Sequence, residues 1–332
     1  MKHASFQHEA LIYEGPEDYL AGTVPFLRAA LAAEEPAMVA VGPEQTALLT
    51  RELGEDGKRV RFVDMRALGR NPAWIIPFWR DFVEEHEGQP VRGIGEPVWS
   101  ARSPAAMEEC QRHESLLNFA FADEEPGWSL LCPYDAGALS EDVLEKVAAS
   151  HPVLNEDGRP RHSHCFHPAA DCFAGGLPAP RGEVRSLSFE LTALSRVRHL
   201  VTAAAEEAGL GSQTAADLVT AASEVAANSV MHGGGRGRLR LWREGETLLT
   251  EVEDAGLIED PLVGRLRPGL TQEGGRGLWL ANQLCDLVQI RSGPAGTVVR
   301  LHVHTGDGEH RFSGGESFGE GESGGVAVSR SG

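Results

Sequence analysis

The sequence predicts an α/β domain with a parallel sheet, followed by an α+β domain in which one sheet packs against helices. Its 332 residues exceed the length of a typical single domain. Apolar strand candidates alternate with helical patterns over residues 8–150, which is typical of a parallel sheet with helices on both faces. A Pro- and Gly-rich stretch, residues 151–183, then breaks the alternation and indicates a linker.

The strand candidates of the first domain are short and continuously apolar. Strands buried on both faces of a parallel sheet have this pattern. In order, they are EALIYEG, PAMVAVG, RVRFVDM, PVRGIGEPVW and WSLLCPYD. Helical patterns lie between and after them, at about 17–33, 43–53, 73–87, 104–122 and 139–149.

The second domain, residues 184–304, has a different order of elements. A strand, VRSLSFELT, precedes two helices and the hairpin GRLRLWREGETLLTEVEDAG. A loop over residues 255–275, the helix GLWLANQLCDLV and a closing hairpin follow. This order predicts a two-layer α+β sandwich. Residues 305–332 are rich in Gly, Ser and Glu, so we expect a disordered tail.

Composition excludes several classes of protein. A net charge of −19 leaves no global basic footprint for nucleic acid and disfavours anionic membranes. No apolar run is long enough to span a bilayer, and the first residues lack a secretory apolar region. The five cysteines do not form a disulfide framework. We therefore expect a cytoplasmic protein without direct contact to nucleic acid or membrane.

The stretch ASEVAANSVMHGGG places three polar residues four positions apart on one predicted helix. Glu224, Asn228 and His232 share a helix face, with successive members roughly 6 Å apart along the axis. These groups can converge on one ligand. A solvated polar stripe that ends at Gly233 explains the pattern equally well, so the stretch alone does not decide between the two.

Two later stretches favour a ligand, specifically a nucleotide. Asp254 ends a predicted strand beside Gly256, where its carboxylate can accept a hydrogen bond from an exocyclic base amine. The segment EGGRGLWLA places glycines just before a helix, and bare backbone amides at a helix N-terminus bind phosphates. This Gly-rich loop can also close as a lid. Asn228 would then offer an amide oxygen to Mg²⁺, and Glu224 would act as general base.

The segments EVAANSVMHG, DAG and GGRGLWL resemble the N, G1 and G2 boxes of the GHKL (HATPase_c, Bergerat-type) ATPases over roughly 185–304. They are most similar to the anti-sigma-factor serine/threonine kinases. This resemblance implies ATP and Mg²⁺ as cofactors, Glu224 as the catalytic base and Asn228 as the magnesium ligand. The further residues it implies for the nucleotide site are Asp254, Gly256, Gly274, Gly275, Arg276, Gly277, Leu278 and Thr297.

The implied reaction is ATP-dependent phosphorylation of a Ser or Thr on a STAS-type anti-anti-sigma protein. The implied consequence is control of a sigma factor, and relatives of this ATPase domain often dimerise, which implies a homodimer. One residue departs from the family: Ile258 replaces the second glycine of the D-x-G-x-G pattern. Ile258 therefore keeps open a second hypothesis, a binding module that captures a partner with little kinase turnover.

A histidine-kinase-type sensor is a third hypothesis, since it shares the ATP site. It requires a dimerising helical pair with a phosphoacceptor His before the ATP domain. Residues 151–185 contain histidines, but Pro and Gly interrupt the stretch. The sequence therefore favours the anti-sigma interpretation.

The first domain resembles the MEDS sensory domain, a RecA-like relative found in methanogen and methylotroph regulators. The resemblance rests on HEALIYEGPEDYLAGTVPFLRAAL, RGIGEPVW and LLCPYD. The segment VAVGPEQTALL lies where a P-loop would follow a strand, but it lacks the second Gly and the Lys-Ser/Thr pair. We therefore expect a degenerate P-loop and a domain that binds no nucleotide.

Two further groups of residues in the first half and the linker are candidates. Glu96, Trp99, Cys132 and Tyr134 lie at predicted strand ends, where ligands bind in open α/β sheets, although burial in the core explains Trp99 and Cys132 more simply. The linker segment RHSHCFHPAADCF carries zinc-type ligands without a recognised spacing, which favours chance clustering. These ligands are His162, His164, Cys165, His167 and Cys172.

Overall fold

The computed structural model describes residues 6–123, 127–156, 158–167, 173, 175–269 and 275–306. Within these ranges the chain forms an α/β domain with a mostly parallel sheet and an α+β domain with an antiparallel sheet. Both predicted classes are confirmed at this level, and the RecA-like relationship stays a prediction. Gly274, Cys172 and residues 307–332 of the predicted tail lie outside the described residues.

The N-terminal sheet has seven strands in the order β3-β2-β4-β5-β1-β6-β7. All neighbouring strands pair in parallel except the last two, which are antiparallel. The strands are β1 (Gln7–Tyr13), β2 (Ala37–Val41), β3 (Val60–Asp64), β4 (Arg92–Gly95), β5 (Ser129–Asp135), β6 (Val153–Glu156) and β7 (Arg159–His162). The helices are α1 (Gly15–Ala32), α2 (Pro43–Leu53), α3 (Met65–Leu68), α4 (Ile75–Glu85), α5 (Pro104–Ala120) and α6 (Glu141–Ser150).

The predicted burial of this sheet on both faces is confirmed. Every residue of β2 is buried. Along β1, Ala10 and Ile12 pack into one core, and Leu11 and Tyr13 pack into a second core on the opposite face. This alternation follows from the two-residue period of a strand, and it places helices on both sides of the sheet.

Part of the segment predicted as a linker belongs to this sheet. β6 pairs with β1 in parallel, and β7 returns antiparallel to β6. Leu154 is buried in the core, and Gly158 adopts a positive φ of 70° in the turn. Gly tolerates this conformation without strain, so the Gly taken as a linker signal instead marks a hairpin.

The C-terminal domain has a five-stranded antiparallel sheet in the order β11-β12-β10-β9-β8. Three helices pack with it around one apolar core that includes Val201, Val225 and Ala281. The strands are β8 (Arg185–Glu190), β9 (Arg236–Glu244), β10 (Thr247–Asp254), β11 (Leu287–Gly293) and β12 (Gly296–His304). The helices are α7 (Leu194–Glu207), α8 (Ser212–His232) and α9 (Arg276–Leu284).

The last helix is shorter than its sequence pattern predicts. The pattern GLWLANQLCDLV continues to Val288, but α9 ends at Leu284 and Cys285 is extended, with φ −112° and ψ 153°. Leu287 is buried and already pairs with His302 of β12. Pairing within the sheet therefore overrides the helical periodicity at this point.

The two domains contact each other through buried charges and apolar side chains. Glu109 of α5 pairs with Arg291 of β11 at 2.8 Å and with Arg265 at 3.3 Å. Leu262 and Leu266, in the loop after β10, pack against the N-terminal core. The described part of this loop, which leads toward the Gly-rich segment predicted to close as a lid, therefore lies against the first domain.

Among the described helices, the search for a membrane-crossing segment found none of sufficient length and apolarity.

Candidate functional site

The helix α8 presents its polar stripe beside its buried face. Leu218, Ala222 and Val225 pack into the C-terminal core, while Glu224 and Asn228 are half-buried at its margin. Neither of these two side chains makes a hydrogen bond to another described residue, so both are available to a ligand. The third member of the stripe, His232, is exposed.

The first turn of α9 lies directly against these two side chains. A Cβ on Gly277 would lie 2.8 Å from Asn228 Nδ2 and 3.1 Å from Glu224 Oε2. Gly275 caps the helix in the left-handed region, with φ 78°. The glycine at position 277 therefore lets the first turn of α9 approach the Glu224–Asn228 pair closely, and Gly275 adopts the left-handed conformation without strain.

Asp254 lies at the end of β10, beneath the C-terminal end of α8. Its Oδ2 accepts a hydrogen bond from Ser229 Oγ at 2.5 Å, and its Oδ1 accepts one from the Gly256 amide at 2.8 Å. Gly233 contacts the carboxylate so closely that a Cβ there would lie 2.3 Å from Asp254 Cγ. The carboxylate is thus fixed in orientation and keeps lone pairs that can accept a hydrogen bond from a ligand amine.

Thr297 supports the backbone that follows Asp254. Its hydroxyl donates to the Gly256 carbonyl at 2.9 Å and lies 2.7 Å from Ser292 Oγ. The amide of Ile258 donates to the same Ser292 hydroxyl at 2.8 Å, and the Ile258 side chain packs against the core. The segment where the family has a second glycine is therefore anchored to the sheet.

The structure places the residues expected to contact the nucleotide in two groups, Glu224 and Asn228 with Gly277, and Asp254 with Gly256 and Thr297. Arg276 is exposed at the first position of α9, whereas Leu278 is buried and contacts Gly264. A cavity of about 680 Å³ adjoins Asp254, but its other described walls come mostly from β8 and β9, and neither Glu224 nor Asn228 lines it. Among the described residues, the Glu224–Asn228 pair therefore does not belong to the lining of this cavity.

Comparison with known proteins identifies both domains. Residues 187–303 match the family model described as histidine kinase-like ATPase domain, and residues 7–152 match the MEthanogen/methylotroph, DcmR Sensory (MEDS) domain. The chain carries a MEDS domain followed by a histidine kinase-like ATPase domain. No curated protein matches it.

One similar solved structure is described as the RsbU and RsbW domains of Rv1364c from Mycobacterium tuberculosis. The two are 21% identical with a TM-score of 0.29, over 37% of this chain and 32% of that one. The chain therefore spans about a third of the length of that structure.

Two side chains of the MEDS domain bind the C-terminal end of α9, the helix whose first turn faces Glu224 and Asn228. The indole Nε1–H of Trp74 donates to the Asn282 carbonyl in the last turn of α9 at 2.7 Å. Asn71 Nδ2 donates to the same carbonyl at 3.0 Å. These donors satisfy a carbonyl that the helix itself leaves without a partner. Sequence analysis missed them because no local pattern marks a contact across 208 residues.

Among the strand-end candidates of the MEDS domain, Glu96 has the most unusual environment. It is buried at the end of β4 and accepts a hydrogen bond from the Tyr13 hydroxyl at 2.8 Å. Burial raises the pKa of the Glu96 carboxyl to about 7, and the hydrogen bond from Tyr13 opposes that shift. Cys132 lies buried within β5, as the alternative interpretation expects.

The histidine and cysteine side chains of the segment RHSHCFHPAADCF do not form one site in the described part of the chain. His162, His164, Cys165 and His167 are all exposed, and Cys172 lies outside the described residues. A search of the described residues for groups able to bind a metal ion does not return these side chains. Strands β6 and β7 form a β-hairpin here rather than the helical pair that a histidine kinase requires.

Proposed function

We propose that the chain is an ATP-dependent protein kinase of the anti-sigma-factor type. Its ATPase domain would bind ATP with Mg²⁺ and phosphorylate a Ser or Thr of a STAS-type anti-anti-sigma protein. That reaction would control a sigma factor in response to a signal sensed by the MEDS domain. The observation that carries this proposal is the convergence of Glu224 and Asn228 on the first turn of α9 at Gly277.

The described residues fit a magnesium–nucleotide ligand by their chemistry. Mg²⁺ prefers hard oxygen donors and retains waters, which suits one amide oxygen from Asn228 beside the carboxylate of Glu224. The amides that begin α9 are suited to phosphate oxygens. Asp254 is an oriented acceptor for the exocyclic amine of adenine. Thr297 would act indirectly, by fixing the backbone at Gly256.

When bound, Mg·ATP supplies the transferable γ-phosphoryl group and neutralises part of its charge. The protein then has mainly to position groups and move one proton. Glu224 would accept the proton of the attacking Ser or Thr hydroxyl, because its carboxylate has no competing hydrogen bond in the described residues. The amides of Gly275–Gly277 would orient the phosphates, and Asn228 would fix the metal.

The contacts between the domains supply a route for the signal. Trp74 and Asn71 of the MEDS domain bind the last turn of α9, and the first turn of α9 faces the catalytic pair. The loop after β10, which leads toward the predicted lid, contacts the MEDS domain at Arg265 and through Leu262. A change in the MEDS domain would therefore reach both the phosphate end of α9 and the lid.

The proposal is tested by following label from γ-³²P-ATP to a purified STAS-type antagonist. The intact chain should transfer label in a Mg²⁺-dependent reaction. The Glu224→Ala variant should transfer no label but should still bind ATP. Glu206→Ala, an exposed glutamate on α7, is the matched control and should transfer label normally. Equal activity in Glu224→Ala and in the intact chain would contradict the assignment of the base.

A second candidate function is a module that captures its partner and uses ATP only to set its conformation. Ile258 favours this alternative, since its amide is bonded to Ser292 and its side chain packs in the core. A stiff hinge would slow the lid movement that turnover requires. Tight, ATP-dependent capture of the antagonist without label transfer would support the module and contradict the kinase.

A further inference from the structure

Four buried side chains from distant parts of the MEDS domain converge at one point in its core. They are His8 of β1, Glu114 of α5, Cys132 of β5 and His151, which follows α6. Each is at most 2% exposed, and one ligand atom from each lies within 4.8 Å of all the others. Neither the nucleotide site nor the contacts between the domains use any of them.

Three of the six separations between these atoms match the edges of a tetrahedral coordination shell, and the others do not exceed 4.8 Å. His8 Nε2 lies 3.2 Å from Glu114 Oε2 and 3.4 Å from Cys132 Sγ, and His151 Nε2 lies 3.3 Å from the same carboxylate oxygen. A zinc ion with Zn–N and Zn–O distances of about 2.1 Å and a Zn–S distance of about 2.3 Å places its ligand atoms about 3.3–3.6 Å apart. The cluster thus has the dimensions of a zinc site.

The outer nitrogens of the two rings have partners that fix the tautomer of each imidazole. The carbonyl of Val147 lies 2.9 Å from His151 Nδ1, so Nδ1 of that ring is the donor. Asn118 Nδ2 donates to the Ser150 carbonyl at 2.8 Å, which turns Asn118 Oδ1 toward His8 Nδ1 at 3.2 Å. Metal-binding histidines commonly donate their second N–H to such an acceptor.

With Nδ1 as the donor in each ring, both Nε2 atoms present lone pairs to the centre of the cluster. They face the carboxylate of Glu114, which is also an acceptor. The donors beside them are the weak thiol donor of Cys132 and the Tyr134 hydroxyl, which lies 3.4 Å from His151 Nε2. Glu114 Oε1 is buried and has no hydrogen-bond partner among the described residues. Such an excess of acceptors in a buried site is expected where a cation belongs.

We propose that His8, Glu114, Cys132 and His151 bind one Zn²⁺ ion in the core of the MEDS domain. The four protein ligands leave no open position, which is typical of a structural zinc site. The ion would join the central strands β1 and β5 to α5. Glu114 lies five residues after Glu109 on that helix, so occupancy would also act on the ion pairs between the domains.

The test is metal content after expression of the full chain in zinc-supplemented medium. Elemental analysis should find one zinc per chain that survives dialysis against a chelator. Cys132→Ser should lose at least nine-tenths of it. Cys110→Ser removes another buried thiol of the same domain, outside the cluster, and should retain the metal.

A second measurement does not depend on any variant folding. Because the site is buried, the chain is unfolded, stripped of metal and refolded with Co²⁺ alone. A thiolate-to-cobalt charge-transfer band with tetrahedral ligand-field absorption is expected. A chain that contains no zinc, and that refolds without such a spectrum and with the same melting temperature with or without zinc, would overturn the proposal. So would full zinc content in both Cys132→Ser and His8→Gln.

Discussion

The indole N–H of Trp74 donates a hydrogen bond to the Asn282 carbonyl at 2.7 Å, which joins the MEDS domain to the last turn of α9. Trp74→Phe removes this donor and keeps an apolar ring. We expect the affinity for ATP to change several-fold, because the opposite end of α9 faces Glu224 and Asn228. Titration calorimetry with the full chain measures this change.

The matched control is Trp242→Phe. Trp242 also donates through its indole, to Glu244 at 2.8 Å, but within the ATPase domain and away from α9. Its loss should lower the melting temperature without altering the affinity for ATP. Equal affinity changes in the two variants would mean that the Trp74 contact carries no specific coupling.

Glu109 is the centre of the buried charge network between the domains. Arg291 and Arg265 both pair with it, and Glu109→Gln would leave the buried guanidinium of Arg291 with only the half-buried Glu108, at 2.8 Å, among these carboxylates. We expect Glu109→Gln to lower the free energy of unfolding by about 3–5 kcal/mol. Urea denaturation measures the loss. Glu207→Gln breaks the exposed pair with Arg185, and its effect should be far smaller.

Glu96 gives the stability of the MEDS domain a defined dependence on pH. Burial raises its pKa from 4.5 to about 7, so between these values the folded state binds a proton that the unfolded state has released. Its contribution to stability is therefore present below pH 4.5 and falls as the pH rises through 7. Glu96→Gln keeps an acceptor for Tyr13 and should remove this component. Melting temperatures measured across this pH range test the prediction. The same dependence of melting temperature on pH in Glu96→Gln and in the intact protein would contradict the assignment.

Gly277 is expected to tolerate no side chain. A Cβ would press on Asn228 at 2.8 Å and on Glu224 at 3.1 Å, so Gly277→Ala should displace both groups and weaken ATP binding at least tenfold. The matched control is Gly293→Ala, since a Cβ at Gly293 meets no atom within 4 Å. Fluorescence titration with a labelled ATP analogue compares them. Normal binding by Gly277→Ala would show that this close approach has no role in the site.

Local sequence patterns predicted the two fold classes and the shared helix face of Glu224 and Asn228, because the physical causes are local. Continuous apolar runs predicted strands buried on both faces, and a four-residue spacing placed Glu224 and Asn228 on one face of α8. The Gly-rich segment before α9 predicted a phosphate site, which stays a prediction. The predicted end of α9 was wrong, because pairing of Leu287 with β12 overrides the helical period.

Contacts between distant residues could not be predicted in this way. Trp74 and Asn282 lie 208 residues apart, and neither belongs to a motif. His8 and His151 meet only because β1 pairs with β5 and β6, a topology that spacing does not specify. The zinc-type ligands that are close in sequence, such as His162 and His164, are exposed instead. For the proposed zinc site, the convergence of the ligands in space indicates the site, whereas closeness along the chain does not.

The most direct test of the account is ATP binding by the full chain, measured by titration calorimetry with and without Mg²⁺. We predict that Mg²⁺ strengthens ATP binding by the intact protein, and that Asn228→Ala loses this enhancement while keeping its melting temperature, because the side chain is only half-buried. Asn155→Ala, in the MEDS domain, should bind as the intact protein does. Unchanged Mg²⁺-dependent binding by Asn228→Ala would contradict the site on which the proposed function rests.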